Sequence, residues 1–296
     1  MSSTIEVNTL TVRYGRKVAV DSVTLAVPQG AVYALLGRNG AGKSSLIRCL
    51  LGQQKANHGD VRLFGEDVWK HRPTLMERVG VVSEDSDAPP EMSVAALAKF
   101  CSRLYSRWDQ QSVDARLKRF GVGTNDRFGS LSKGQKKQVS LALALAMSPE
   151  ILVLDDPTLG LDAVARKSFF EEVIGELADR GITVLLTTHD LAGVEGIADR
   201  VGILKGGRVV LDEEMETLKA RFRRVRFAAQ PVALQEAQLR TAAVRQWGSG
   251  AEAVVTNYDD VVFERFRATT TSAEVSAMSL EEIFIAVAGE SEGVQS

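Results

Sequence analysis

Residues 37–44 read Gly-Arg-Asn-Gly-Ala-Gly-Lys-Ser, the spacing G-x-x-x-x-G-K-[ST] of a loop whose backbone N–H groups wrap a polyphosphate. Gly37, Gly40 and Gly42 let the backbone turn tightly and approach phosphate oxygens with no Cβ in the way. Lys43 would reach the β- and γ-phosphates and the Ser44 hydroxyl would ligate Mg2+, with Asn39 and Ser45 completing the nucleotide-binding stretch. A second group sits at the end of the apolar run Ile151-Leu-Val-Leu154, which is followed by Asp155 and Asp156. Ligands bind at the carboxyl ends of strands in parallel sheets, so Asp155 there can hold Mg2+ directly or through water. Leu131-Ser-Lys-Gly-Gln135 stands just before a helical pattern, where Ser132 by itself reads as an N-cap. His189 closes the apolar stretch 182–188 and Tyr14 closes the first strand pattern. Taken singly, either residue is ordinary packing at a strand end.

Each of these groups needs a rigid element beneath it. Residues 31–36 read as a buried strand entering the loop, and 45–51 as a helix whose N-terminal dipole faces an anion. Alternation at 5–10 and 18–27 predicts strands, with turns at 14–15 and 28–30. Further strands are expected at 61–64, 79–82, 151–154, 182–187, 201–204 and 208–211. Helical patterns fall between them: two within 93–120, broken near 106–109, then 136–147 and 163–180. In the last, Phe170, Val173, Ile174 and Leu177 follow the i, i+3, i+4, i+7 spacing of a buried stripe. A further helix after His189 would be capped by Asp190.

Strands alternating with helices predict an α/β fold with a mostly parallel sheet covered on both faces, and the helix-only stretch as a subdomain. After residue 213 the composition shifts. Residues 214–226, with Lys219, Arg221, Arg223, Arg224 and Arg226, read as a basic helical linker with a solvated face. Beyond it, 225–229, 253–256 and 261–266 read as strands. Ser279-Leu-Glu-Glu282 is a capping box opening a helix with Leu280, Ile283, Phe284 and Val287 on one face. The expected division is 1–212, with a helical subdomain at about 85–147, and a linker with a small α/β appendage at 213–296.

Composition narrows the function classes. The chain of 296 residues is 45% hydrophobic and 25% charged, ordinary values for a globular protein. Thirty-six basic against 38 acidic residues give a net charge of −2, which carries no nucleic-acid footprint. No signal-peptide core and no run of about 18 apolar residues is present, so work at a membrane would require another chain to span it. Cys49 and Cys101 lie in helical patterns and read as reduced thiols of a cytosolic protein.

The phosphate loop, Leu131-Ser-Lys-Gly-Gln135, Ile151-Leu-Val-Leu-Asp155, Gly160-Leu-Asp162 and His189 occur in one order along the chain. As an ordered set over residues 4–212 they resemble the ATP-binding subunit of an ABC transporter. The resemblance implies a P-loop NTPase core with an antiparallel β subdomain and a helical subdomain. It also implies ATP and Mg2+ as cofactors and a dimer enclosing two ATP. Tyr14 would stack on adenine. Ser132 and Gly134, with Gln135 completing the signature, would touch the γ-phosphate held by a second ATP-binding subunit, identical or different. Asp162 would link the two sites, Lys43 and His189 would contact the γ-phosphate, and Asp156 would be the base for the attacking water. The partner would be an integral membrane permease holding the subunit on the inner face of the membrane. The tail Met278-Ser-Leu-Glu-Glu-Ile-Phe-Ile-Ala-Val-Ala-Gly289 is similar to endings in the drug-export branch, and Ser106-Arg-Trp-Asp109 to the antibiotic-response subgroup.

Three residues depart from the family's pattern. Asp156 stands where the family usually has glutamate, Glu84 where it has a glutamine that contacts Mg2+, and Lys133 where it has glycine. Glu84 can still ligate Mg2+, and Lys133 adds positive charge beside the retained Ser132 and Gly134. The shorter Asp156 predicts slow hydrolysis or a long-lived ATP-closed dimer, because a displaced base is costly. The leading expectation is a motor subunit driving export. A regulatory or sensing ATPase is the alternative. The soluble ABC ATPases of DNA repair and translation lack support, since the chain has neither a coiled-coil insertion nor a second cassette.

Overall fold

The computed structural model describes residues 3–85, 88–228, 232–248 and 250–289. One compact unit runs to Asp190 and takes in Leu204–Val209; a second comprises Leu191–Ile203 and the chain from Val210 onward.

The first unit opens with β1 (Ser3–Tyr14) and β2 (Lys17–Pro28), an antiparallel hairpin turning at Gly15. Ile5, Val7, Leu10 and Val12 face the core from β1, and Val20, Val23, Leu25 and Val27 from β2. The register slips between Val7 and Leu10, where Thr9 has φ +44°, so a bulge keeps both apolar sets on one face. β3 (Val32–Leu36), buried at every residue, then leads into α1 (Lys43–Leu50). β4 (His58–Leu63) and the short β5 (Glu66–Asp67) complete an outer sheet ordered β2-β1-β4-β5. α2 (Val68–Met76), N-capped by Asp67, delivers β6 (Val79–Val82); neither β5 nor α2 is among the sequence expectations.

Three helices follow: α3 (Val94–Cys101), α4 (Gln110–Arg119) and α5 (Lys133–Ala146). Val94, Leu97, Val113, Leu117, Phe128 and Val139 form their shared core, with Trp108 packed against it. Residues 86–87 of the expected helical subdomain lie outside the described residues. β7 (Ile151–Asp155), α6 (Ala163–Arg180) and β8 (Thr183–Thr187) return to the main sheet. α7 (Leu191–Glu195), β9 (Arg200–Lys205) and β10 (Arg208–Glu214) come next. The six-stranded order is β10-β9-β3-β8-β7-β6, with β3, β8, β7 and β6 mutually parallel. Every residue of β8 is buried, as are all but Asp155 of β7, the signature of a sheet covered on both faces.

Two helix starts and one stripe differ from the sequence expectation. α1 begins at Lys43 because Gly42, left-handed at φ +112°, stops the loop there. α5 begins at Lys133 because Ser132 and Gln135 form a reciprocal capping box. On α6 the buried face is Phe169, Phe170, Glu172, Val173 and Glu176, while Ile174 is exposed and Leu177 half-buried. The two glutamates bury because α4 supplies Arg116, which pairs with both, and Arg119, which pairs with Glu172.

In the second unit, α8 (Met215–Arg221) gives way at once to β11 (Arg223–Ala228), so the basic stretch is half helix and half strand. Ala229, the expected end of that strand, lies outside the described residues. Four of its five cations pair with carboxylates: Lys219 with Glu195, Arg221 with Glu213, Arg224 with Glu252 and Glu282, and Arg226 with Glu252, while Arg223 donates to the Lys219 and Phe222 carbonyls. α9 (Val232–Glu236), β12 (Thr241–Trp247), β13 (Gly250–Val255), α10 (Asp260–Thr269), β14 (Thr271–Ala277) and α11 (Leu280–Ala288) follow. The four strands form an antiparallel sheet ordered β12-β13-β11-β14. Residues 261–266, expected as a strand, lie in α10. Asp259 accepts the Val261 and Val262 N–H groups, and Phe263 and Phe266, three apart, both enter the core against Phe227. The capping box at Ser279 forms as expected, and Leu280 and Ile283 are buried while Phe284 and Val287 are half-buried.

Candidate functional site

The glycine-rich loop springs directly from the end of β3. A Cβ at Gly37 would stand 2.7 Å from the Leu204 carbonyl oxygen, and one at Gly42 would stand 2.3 Å from that of Ala19. Neither position accepts a side chain: Gly37 is fixed by close approach alone, and Gly42 by close approach and by its φ of +112°. Gly42 offers no side-chain cap to α1, and no acidic residue lies in its first turn. The first-turn N–H groups, with the dipole behind them, therefore form a ready anion site. Lys43 is buried and curls over the loop, its Nζ donating to the Gly37 carbonyl at 2.6 Å. Burial pushes the Lys43 ammonium below its ordinary pKa, while Asp156, Asp155 and Glu84 pull it back up. Asn39 and Ser44 are exposed on the loop, Gly40 has φ +79°, and Ser45 is half-buried. Tyr14 stands beside them: its hydroxyl lies 3.2 Å from Ser45 Oγ and donates to Gln54 Oε1 at 2.6 Å, leaving an exposed ring over the loop's flank. The bond with Ser45 draws the phenol below its usual pKa.

The carboxylates arrive at the ends of strands neighbouring β3. Asp155 closes β7, and the Thr187 hydroxyl on β8 donates to its Oδ1 at 2.5 Å. Asp156 turns out of the strand with φ +44°, a left-handed conformation that Asp tolerates better than most side chains. Its N–H donates to the Thr187 carbonyl at 3.0 Å. Its carboxylate, 6% exposed by residue, accepts the His189 N–H at 3.1 Å on one oxygen and lies 3.1 Å from His189 Nε2 on the other. His189 and Asp156 thus form one unit at the ends of β7 and β8, while Asp190 pairs with Arg166. Glu84 lies just past β6, exposed, near enough for its charge to act on Lys43.

The signature residues form a separate cluster. Ser132 Oγ accepts the Gln135 N–H at 3.2 Å, and Gln135 Oε1 accepts the Ser132 N–H at 3.0 Å, so both side chains are spent on starting α5. A Cβ at Gly134 would meet Leu161 Cδ2 at 3.2 Å, and one at Gly160 would meet Lys133 Cδ at 3.6 Å. The signature therefore packs on the 160–162 loop, where Asp162 caps α6 by accepting the Ala165 N–H at 2.8 Å. Loop, carboxylates and histidine are brought together; Ser132, Gly134 and Gln135 present their exposed start elsewhere.

Two participants escape motif reading. Thr187, fully buried, orients Asp155. Lys137, also buried, donates from Nζ to the Ser83 carbonyl at 2.6 Å and to the Asp156 carbonyl at 3.3 Å. Lys137 falls in helical step with the buried Leu141 and Ala144, a lysine on an apolar face, and that spacing is the signal that finds it. A phosphate cradle with a buried cation and two carboxylates at adjacent strand ends is a site for metal-assisted phosphoryl transfer. Asp155 and Ser44 supply the hard oxygen donors that Mg2+ takes, with phosphate oxygens completing the shell. Among the described residues no three His, Cys, Asp or Glu side chains group closely enough to hold a metal alone.

Comparison with known proteins agrees with this chemistry. The profile of the family described as ABC transporter matches residues 20–159. The bacitracin transport ATP-binding protein BcrA of Bacillus licheniformis is 32% identical over 226 residues, 76% of this chain and 74% of that protein. The Nod factor export ATP-binding protein I of Burkholderia orbicola is 36% identical over 205 residues, 68% and 67% of the two chains. Among solved structures, cbiO1 of Clostridium perfringens, part of the ABC transporter complex cbiONQ, superposes with a TM-score of 0.64 at 29% identity, covering 74% of this chain and 92% of that one.

Proposed function

The chain belongs to the ABC transporter family as an ATP-binding subunit, and we propose that it is the motor of an exporter whose membrane-spanning permease is a separate chain. The observation that carries the reading is the convergence of the Gly37–Ser44 loop with Asp155, Asp156 and His189 at the ends of β3, β7 and β8. The loop N–H groups and Lys43 hold the β- and γ-phosphates; Lys43 then leaves the Gly37 carbonyl for phosphate oxygens. Water attacks the γ-phosphorus in line, its proton passes to the Asp156 carboxylate, and the bond to the β-phosphate oxygen breaks to leave ADP and phosphate. Bound Mg2+, held by Ser44 and Asp155 with Glu84 nearby, would neutralise charge between the phosphates. His189 positions Asp156 and reaches the γ-phosphate. Ser132, Gly134 and Gln135 serve the ATP of a second subunit, and Tyr14 receives the adenine. Dimer closure on two ATP and reopening after hydrolysis would drive the permease, with the subunit held at the inner membrane face. The relatives named for bacitracin transport and Nod factor export support an export role, and among the described residues no helix is long and apolar enough to cross a membrane.

Asp156 favours a second, slower mode. Both its oxygens contact His189, so only their remaining lone pairs are open to water and the base is the weaker for sharing its charge with the histidine. That suits a switch with a long-lived ATP-bound state. Turnover of the full chain with Mg2+ and ATP, compared with Asp156→Glu and Asp156→Asn, tests both readings. Glutamate should raise the rate several-fold and asparagine lower it by about a hundredfold or more, in the range of general-base catalysis. Equal rates in all three would remove Asp156 as the base. Co-purification with a membrane-embedded partner tests the export reading, and its absence counts against transport.

A further inference from the structure

The signature helix carries a cation into the neighbourhood of the hydrolytic carboxylates that no motif requires. Lys137 lies one turn and a residue beyond Ser132, its side chain 4% exposed by residue, in a stretch of α5 otherwise lined by Val139, Leu141 and Ala142. Burying an ammonium is costly unless hydrogen bonds and opposite charge compensate. Both are present. The Nζ donates to the carbonyls of Ser83 and Asp156, at 2.6 and 3.3 Å. Burial lowers the lysine's pKa, and Glu84, Asp155, Asp156 and Asp85 act against that shift.

The two carbonyls matter because of where they lie. Ser83 ends the run of β6 into Glu84. Asp156 has φ +44°, and its carbonyl points where it does because the peptide is held in the left-handed region. Such a conformation persists only when surrounding contacts over-determine it. On one side it is held by the Asp156 N–H bond to Thr187; on the other, the Asp156 carbonyl accepts the Leu159 N–H at 3.2 Å and the Lys137 ammonium at 3.3 Å, and of these only Lys137 also reaches Ser83.

We infer that Lys137 is a positioning residue of the hydrolytic site, clamping the Ser83 and Asp156 carbonyls together so that the Asp156 carboxylate is aimed at the γ-phosphate water. The inference rests on the assignment of Asp156 as base in the proposed function. Lys137 is hydrogen-bonded to the Ser83 and Asp156 carbonyls rather than to the phosphate loop, so its loss should change the chemical step and spare binding.

The test uses the full chain with Lys137→Met, which keeps length and removes donors and charge, and Lys137→Arg, which restores both. Removing the charge-assisted hydrogen bond to the base's backbone, together with the one that ties it to Ser83, should lower kcat by about 10- to 30-fold. The KM for MgATP and the affinity for a fluorescent ATP analogue should stay within about twofold. Arginine should bring kcat back to within about threefold of the parent. If Lys137→Met does not fold, as judged by thermal melting, Lys137→Gln keeps a single donor for one carbonyl and should show the same kcat loss with intact binding. A neutral variant with parental kcat overturns the inference, as does one whose KM rises at constant kcat, or a loss that arginine does not rescue. Asp156→Asn measured alongside separates the two ideas. An inactive Asp156→Asn beside a fully active Lys137→Met rejects Lys137 alone, whereas an active Asp156→Asn rejects the base assignment and this inference with it.

Discussion

At the scale of single residues, the site is built from side chains that hold one another. Thr187 shows this most plainly: its hydroxyl donates to Asp155 Oδ1 and accepts the Asp156 N–H at 3.1 Å, with no exposed surface. Thr187→Val is isosteric and removes both bonds, leaving the Asp155 carboxylate free to rotate. The Mg2+ concentration that half-saturates ATP turnover should rise about 5- to 10-fold, the scale of one lost charged hydrogen bond, while Thr187→Ser should stay near the parent. An unchanged Mg2+ dependence in Thr187→Val would show that Asp155 does not rely on this hydroxyl. Lys43 and Asp155 could be singled out from spacing at the end of one strand each, and His189 only from its place in the ordered set of motifs. Thr187 and Lys137 were not, since what they do follows from burial beside a neighbouring strand or turn, and burial is decided by tertiary packing. Lys133 departs from the expected glycine yet sits exposed beside Gly160, so the substitution is tolerated by solvent rather than compensated.

At the scale of elements, most strands and helices were legible because apolar periodicity and caps agree with their final packing. The failures come where partners override local pattern. Residues 261–266 look like a strand by their β-branched and aromatic content, but Asp259 caps a helix and the Phe263–Phe266 spacing suits a helical face better than alternation does. The α6 stripe was misassigned because periodicity counts apolar residues only, and here the buried face includes Glu172 and Glu176. Those carboxylates are buried against Arg116, whose Nε donates to Glu172 at 3.0 Å and whose guanidinium also reaches Glu176, tying α4 to α6. Arg116→Met should cost about 3 kcal/mol in urea-induced unfolding, because two buried carboxylates lose their shared cation. Adding Glu172→Gln and Glu176→Gln should recover most of the loss. If the triple variant is no more stable than Arg116→Met, the cost lies in packing of the arginine stem rather than in stranded charge.

At the scale of the whole molecule, chemistry and compactness divide the chain at different places. The chemical motifs end by His189, and the proposed division between ATPase and C-terminal domains stays at residue 212. The compact second unit nevertheless reaches back to Leu191. Within that unit Glu195 pairs with Lys219 and accepts the Leu280 N–H at 3.0 Å, and the Asp199 carbonyl accepts the Met215 N–H at 2.9 Å. The capping box at Ser279 aims the first turn of α11 so that the Leu280 N–H meets Glu195. Residues 191–203 therefore depend on segments that follow residue 212. A chain ended at Asp212 keeps every motif residue but leaves Glu195 and Asp199 without these partners. Its melting temperature should fall by at least about 5 °C relative to the full chain, the shift expected for a loss of roughly 2 kcal/mol in a chain of this size. ATP, which stabilises whatever folded state binds it, should still raise the melting temperature of both chains if the nucleotide site is carried by the first unit alone. A shortened chain that melts with the full one would show that 191–203 draw their stability from the ATPase side, and one that melts lower but no longer responds to ATP would extend the nucleotide site's dependence to the C-terminal residues.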